Sequence, residues 1–130
     1  MKYLGIDFGS KRVGLALSDE NLQFAFPFKV LENSENLVDD IKNICLENNV
    51  SLVVIGESKD FSMKDNQIME EIKSFITNFK SSSDISVVLH PEFLTSQEAE
   101  RLQGKNDMLD ASAASIILKS YLDSKQDHGK

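Results

Sequence analysis

Apolar and polar residues alternate from the second residue onward. In the stretch Lys2–Phe8, Leu4, Ile6 and Phe8 share one side of an extended chain, and Tyr3, Gly5 and Asp7 share the other. A Gly-Ser pair at 9–10 then reads as a turn. Residues 12–18 alternate again, with Val13, Leu15 and Leu17 on one side, so the two strands form a hairpin. A third strand is expected over 22–31, with Pro27 marking an edge or an irregular point because it has no N–H to give a ladder.

After residue 33 the period changes to that of a helix. Leu37, Val38, Ile41, Ile44 and Cys45 form a stripe, and Ser34 is placed to cap it. The continuous apolar runs at 51–56 and 85–89 read as strands covered on both faces. Between them, Ile68, Met69, Ile72, Phe75, Ile76 and Phe79 mark a second helix. Thr95 and Glu98 have capping-box spacing for a short helix ending near Gly104. A last helix spans about 108–122, followed by a polar tail expected to fray over 125–130. The predicted order is β-β-β-α-β-α-β-α-α. Three successive strands suggest an antiparallel meander, and the later alternation suggests parallel strands flanked by helices. The expectation is one α/β domain over 1–124 with a mixed five-stranded sheet.

Composition changes this picture little. The chain has 130 residues, 41% hydrophobic and 8% aromatic, as in a globular domain. No apolar run is long enough for a membrane helix, and the N-terminus lacks the pattern of a signal peptide. The single cysteine, Cys45, lies on the apolar stripe, reads as core, and fits a reducing cytoplasm. The net charge of −7 argues against broad nonspecific binding to nucleic acid but leaves room for a local basic patch. The aromatic content offers no obvious platform for stacking bases.

Most acids fall on helix exteriors and loops; three do not. Asp7 ends a strand whose other residues are buried. Glu92 follows the strand at 85–89, just past Pro91. Asp110 shares a helical face with Ala113, Ala114, Ile117 and Tyr121, a face that should press on the sheet. An isolated buried carboxylate is very costly, so Asp110 needs a partner or a ligand. Gly5, Gly14 and the alanines at 111, 113 and 114 allow close approach of that helix to the sheet. In open α/β sheets, sites form beyond the carboxyl ends of strands, where Asp7 and Glu92 stand. Converging carboxylates suit a hard divalent cation, Mg²⁺ or Mn²⁺. Two such ions about 3.5–4 Å apart can activate a water and stabilise the leaving oxygen of a phosphodiester. The alternatives are ordinary: Asp7 as a turn former, Asp110 as a first-turn acid favoured by the helix dipole, Glu92 as a solvated loop acid.

The motif GIDFGSKRVGLALSD resembles the opening of the Holliday junction resolvase-like family, also called YqgF or RuvX. LVVIGESKD at 52–60, PEFLTSQEAERL at 91–102 and LDASAASIILKSYL at 109–122 resemble its later motifs, in family order. The two middle motifs depart from the common pattern: GES replaces GLP, and Pro91 and Phe93 replace the aspartate and arginine that flank the acidic residue. The resemblance implies a three-layer RNase H-like fold and a nuclease active on the precursor of 16S ribosomal RNA. It places the catalytic, metal-holding acids on Asp7, Glu92 and Asp110. Position suggests Lys11, Arg12, Lys59, Lys64 and Lys105 as contacts for phosphate oxygens. Two other readings stay open: a resolvase cutting branched DNA, which normally needs a dimer, and a non-catalytic RNA-binding assembly factor. The implied partners are precursor rRNA or branched DNA, and the small-subunit precursor; the chain is a monomer or a homodimer.

Overall fold

The computed structural model describes residues 1–9, 11–56, 67–90 and 109–128, with side chains left aside at 67–68, 109–112 and 125–128. Five strands, β1 (Lys2–Phe8), β2 (Arg12–Ser18), β3 (Ala25–Glu32), β4 (Val50–Gly56) and β5 (Ser86–His90), form one sheet in the order β3-β2-β1-β4-β5. β1/β2 and β2/β3 are antiparallel, and β1/β4 and β4/β5 are parallel. The mixed sheet with an antiparallel first half is therefore as the sequence predicts. Helices α1 (Leu37–Glu47) and α2 (Gln67–Ser82) cover one face, and α3 (Leu109–His128) lies on the other.

The period-2 pattern sorts residues between those faces. Leu4, Ile6 and Phe8 of β1 join Val13, Leu15 and Leu17 of β2 under α1 and α2. Ile41, Ile44 and Cys45 of α1, with Met69, Ile72, Phe75 and Phe79 of α2, complete this core. Burial pushes the Cys45 thiol up to about 12, so it packs as an apolar group and stays protonated near neutrality. On the opposite face Ala16, Val54, Ala114, Ile117, Leu118 and Leu122 make a thinner layer. That layer is thin because glycine faces the helix. A Cβ on Gly5 would sit 2.7 Å from the Cβ of Leu118 and 2.9 Å from the Ala114 carbonyl oxygen. Only a residue without a side chain lets α3 come this near the backbone of β1.

Three boundaries differ from expectation. The third strand starts at Ala25, not at 22. The Asp19 carboxylate accepts from the backbone N–H groups of Gln23 (2.8 Å) and Phe24 (2.9 Å), which holds residues 19–24 in a turn with Leu22 at φ 59°. These bonds also hold the Asp19 carboxyl below its ordinary range, the bond from Phe24 foremost. At the start of α1 the cap position is Asn36, while Ser34, two residues earlier, accepts from the Asn36 N–H at 3.2 Å. α3 continues to His128, past the expected end at Leu122, helped by the Lys119–Asp123 pair at 2.7 Å. As expected, Pro27 lies on an edge strand, and the ladder slips there: Leu15 pairs Lys29 but Ala16 pairs Pro27. The short helix expected over 95–104 lies outside the described residues.

Candidate active site

The carboxyl ends of β1, β4 and β5 point the same way, and on the α3 side they present Asp7, Gly56 and His90. Asp7 is half-buried. Its cross-strand partner in β2 is Gly14. The parallel register with β4, which pairs Ile6 with Ile55, carries on to set Gly56 at its other side. Asp7 thus has a glycine beside it on each flanking strand, and over Gly56 the Ile117 side chain of α3 takes the space that a side chain there would need.

The path of α3 decides what lies above Asp7. Tyr3 packs against Tyr121, ring centroids 6.1 Å apart, and Gly5 fits between Leu118 and Ala114. Two residues along a strand advance about 6.7 Å, which equals four to five residues of helix. Moving from Tyr3 to Gly5 to Asp7 therefore runs towards the N-terminal turn of α3, where the backbone carries position 110. Ala113, Ala114 and Ile117, which share its helical face, are buried as predicted. Asp7 and Asp110 thus belong to elements in direct contact on one side of the sheet.

The hairpin after Asp7 carries Lys11 and Arg12, both exposed. The sequence gives no hint of what fixes this loop. Asn33, just past β3, donates from Nδ2 to the Gly9 carbonyl at 2.8 Å, and its N–H donates to the Lys11 carbonyl at 2.9 Å. A Cβ on Gly9 would meet the Arg12 carbonyl oxygen at 2.5 Å, so this turn also requires glycine. His90, likewise unread in the sequence, is tied to α3 by Ser120 Oγ at 3.0 Å from its Nε2 and by an edge-on contact with Tyr121 at 5.7 Å. Glu92, Lys59, Lys64 and Lys105 lie outside the described residues. Among the described residues, no three acidic, histidine or cysteine side chains gather as a metal-binding group. Asp7 offers hard carboxylate oxygens at this end, a donor type that fits Mg²⁺ or Mn²⁺ in chemistry. Among the described residues no helix is long and apolar enough to cross a membrane.

Comparison with known proteins places the chain in context. The family model described as "RuvX: Holliday junction resolvase" matches residues 1–124. A protein of Maridesulfovibrio salexigens named "Putative pre-16S rRNA nuclease" is 35% identical, the match covering 94% of this chain and 98% of that one. A protein of the same name from Desulforudis audaxviator is 33% identical over 97% and 96% of the two chains. Among solved structures, T. thermophilus RuvC in complex with a Holliday junction substrate superposes with a TM-score of 0.66 at 14% identity, over 97% and 96% of the chains. The fowlpox virus resolvase bound to Holliday junction DNA gives 0.60 at 15%, over 96% and 99%. At these identities the two structures speak for the fold.

Proposed function

This chain belongs to the RuvX family, and from that premise we propose that it is a divalent-metal-dependent endonuclease that hydrolyses phosphodiester bonds in RNA, maturing the 16S rRNA precursor in the cytoplasm. One observation carries the reading. Asp7 stands half-buried at the carboxyl end of the central strand, paired with Gly14, on the face covered by the helix that carries position 110 in its first turn. The names of the full-length relatives support RNA as the substrate.

Asp7, Glu92 and Asp110 would hold Mg²⁺ or Mn²⁺, which when bound supplies Lewis acidity for the attacking water and the leaving oxygen. Asp7 is set by the rigid central strand, so its position varies little while substrate arrives. Lys11 and Arg12 hold phosphate oxygens of the incoming strand from the hairpin that Asn33 pins. Lys59, Lys64 and Lys105 add further cations for the backbone.

The test is cleavage of a precursor 16S RNA fragment with Mg²⁺ or Mn²⁺, comparing the native chain with Asp7→Asn and Asp110→Asn. Each variant should lose at least about a hundredfold in rate. Unchanged cleavage in both overturns the assignment. RNA binding without metal-dependent cleavage in the native chain favours the assembly-factor reading. The family description favours one further substrate, the Holliday junction, and equal or faster cutting of a four-way DNA junction would establish it.

A further inference from the structure

Three of the eight phenylalanines, Phe24, Phe26 and Phe28, stand on the β3 edge of the sheet, 54%, 55% and 37% exposed. Phe24 and Phe26 are a tilted pair with centroids 6.5 Å apart. Two rings carry an ammonium: Lys119 Nζ is 5.8 Å from the centre of Phe24, and Lys29 Nζ is 5.7 Å from that of Phe28. Lys119 is also held by the Gln23 carbonyl at 3.1 Å and by Asp123. A shallow groove runs beside the rings, between β3 and α3, walled by Phe24, Phe26, Ile116, Ser115 and Lys119.

Burial in the core does not require these rings, and strand pairing does not use them. Pro27 lacks an N–H, and the ladder bulges beside it, so this edge is a poor template for another strand. A symmetric contact with a second copy would bring this same patch together from both chains, two lysines from each. Flat rings interleaved with ammonium groups instead match a polymer of bases and phosphates. We propose that this edge is a stacking platform for an unpaired, single-stranded stretch of the nucleic acid substrate, with Phe24 and Phe26 each taking a base and Lys29 and Lys119 facing the backbone.

The platform stands at a useful distance from the cleavage centre. Asp7 pairs Gly14, and Gly14 pairs Val30. From Phe26 to Asp7 is therefore two strand spacings across the sheet and about 13 Å along β3, within reach of a few nucleotides. Stacking is tolerant of base identity, so the platform selects for an unpaired strand and not for a sequence. That the strand flanks a scissile bond rests on the nuclease reading; binding on the edge does not.

The test separates the two. A fluorescein-labelled oligoadenylate of about 12 nucleotides, long enough for one such site, is titrated with the native chain in EDTA, where no cleavage occurs. Phe24→Ala and Phe26→Ala should each raise Kd about tenfold, with unchanged circular dichroism because both rings are exposed. Phe26→Trp should retain binding. The chain has no tryptophan, so the new indole is the only one and its emission should be quenched by the RNA. Native affinity in the Phe24→Ala/Phe26→Ala double variant, or unquenched emission from Phe26→Trp, overturns the platform even where cleavage is intact. Loss of binding in the double variant upholds it even where no cleavage is found. A double variant that lowers sedimentation-derived mass while binding RNA normally assigns the edge to self-association and overturns the proposal.

Discussion

The two faces of the sheet are built to different thickness. Under α1 and α2 the strands present Leu4, Ile6, Phe8, Val13 and Leu15, and the helices answer with Ile41, Ile72, Phe75 and Phe79. Phe8, Phe75 and Phe79 follow one another at 5.7 Å per step. Under α3 the strands present Gly5, Ala16 and Gly56, and Ala114, Ile117 and Leu118 of the helix close over them. Apolar burial scales with area, so the first face holds the fold together. The second gives up that area and gains proximity. It brings the backbone of a helix next to the backbone of the strand that carries Asp7. One face is a store of stability, and the other is a gauge that sets distance.

This division predicts where damage shows. Phe79→Ala removes a fully buried ring from the thick face and should cost about 3–5 kcal/mol in urea unfolding. The surviving folded fraction should cleave at the native rate. Gly5→Ala should cost about 1–3 kcal/mol, because the new methyl meets the Ala114 carbonyl and the Leu118 Cβ, neither of which can rotate away. Its effect on cleavage should exceed its effect on stability, since α3 must shift and position 110 moves with it. Gly56→Ala is the control. Its Cβ meets the Ile117 Cδ1 at 2.6 Å, the far end of a side chain that can change rotamer. It should cost less than Gly5→Ala in both measurements. Equal losses for the two glycines would show that the thin face is ordinary packing.

Asn33→Ala probes the loop that follows Asp7. Losing the Nδ2 bond to the Gly9 carbonyl should cost about 1 kcal/mol, while the Asn33 N–H bond to Lys11 survives. If the hairpin positions Lys11 and Arg12 on phosphate, KM for RNA should rise several-fold with kcat little changed. A fall in kcat alone would put Asn33 with the chemistry instead of with binding.

The sequence discloses the two faces because the contrast lies in single strands, where alternate residues of β1 and β2 differ in size. The same logic singles out Asp7 and Asp110 as candidates, acids set among apolar positions. What escapes it depends on contacts between distant positions. Asn33 reaches Gly9 across 24 residues of chain, and no period announces that bond. Leu22 and Phe24 look like alternating strand residues until the Asp19 carboxylate claims the N–H groups of Gln23 and Phe24. Aromatic content counts rings but cannot say that three of them gather on one edge. The end of α3 reads as a polar tail because its residues carry no apolar stripe, whereas a helix already anchored on the sheet extends on i,i+4 pairs such as Lys119–Asp123.

Asp19 and Asp7 make the last and finest contrast, two aspartates at strand ends with different work. Asp19 is satisfied by the backbone N–H groups of Gln23 and Phe24, so its ionised form is favoured in the folded chain and its pKa lies below the ordinary value. A lowered pKa means stabilisation that is complete above the ordinary carboxylate range and is lost as pH falls through the lowered value. Asp19→Asn keeps an oxygen acceptor but has no charge to titrate. Its melting temperature should fall slightly below that of the native chain near neutrality, and the gap should close towards acid pH. The cleavage rate at neutral pH should be unaffected, because the turn at 19–24 is at the far end of β2 from Gly14, the partner of Asp7. A gap that widens in acid would mean that the Asp19 turn is held by something other than its carboxylate, and a lost cleavage rate would extend the working region of the thin face along the whole length of β2.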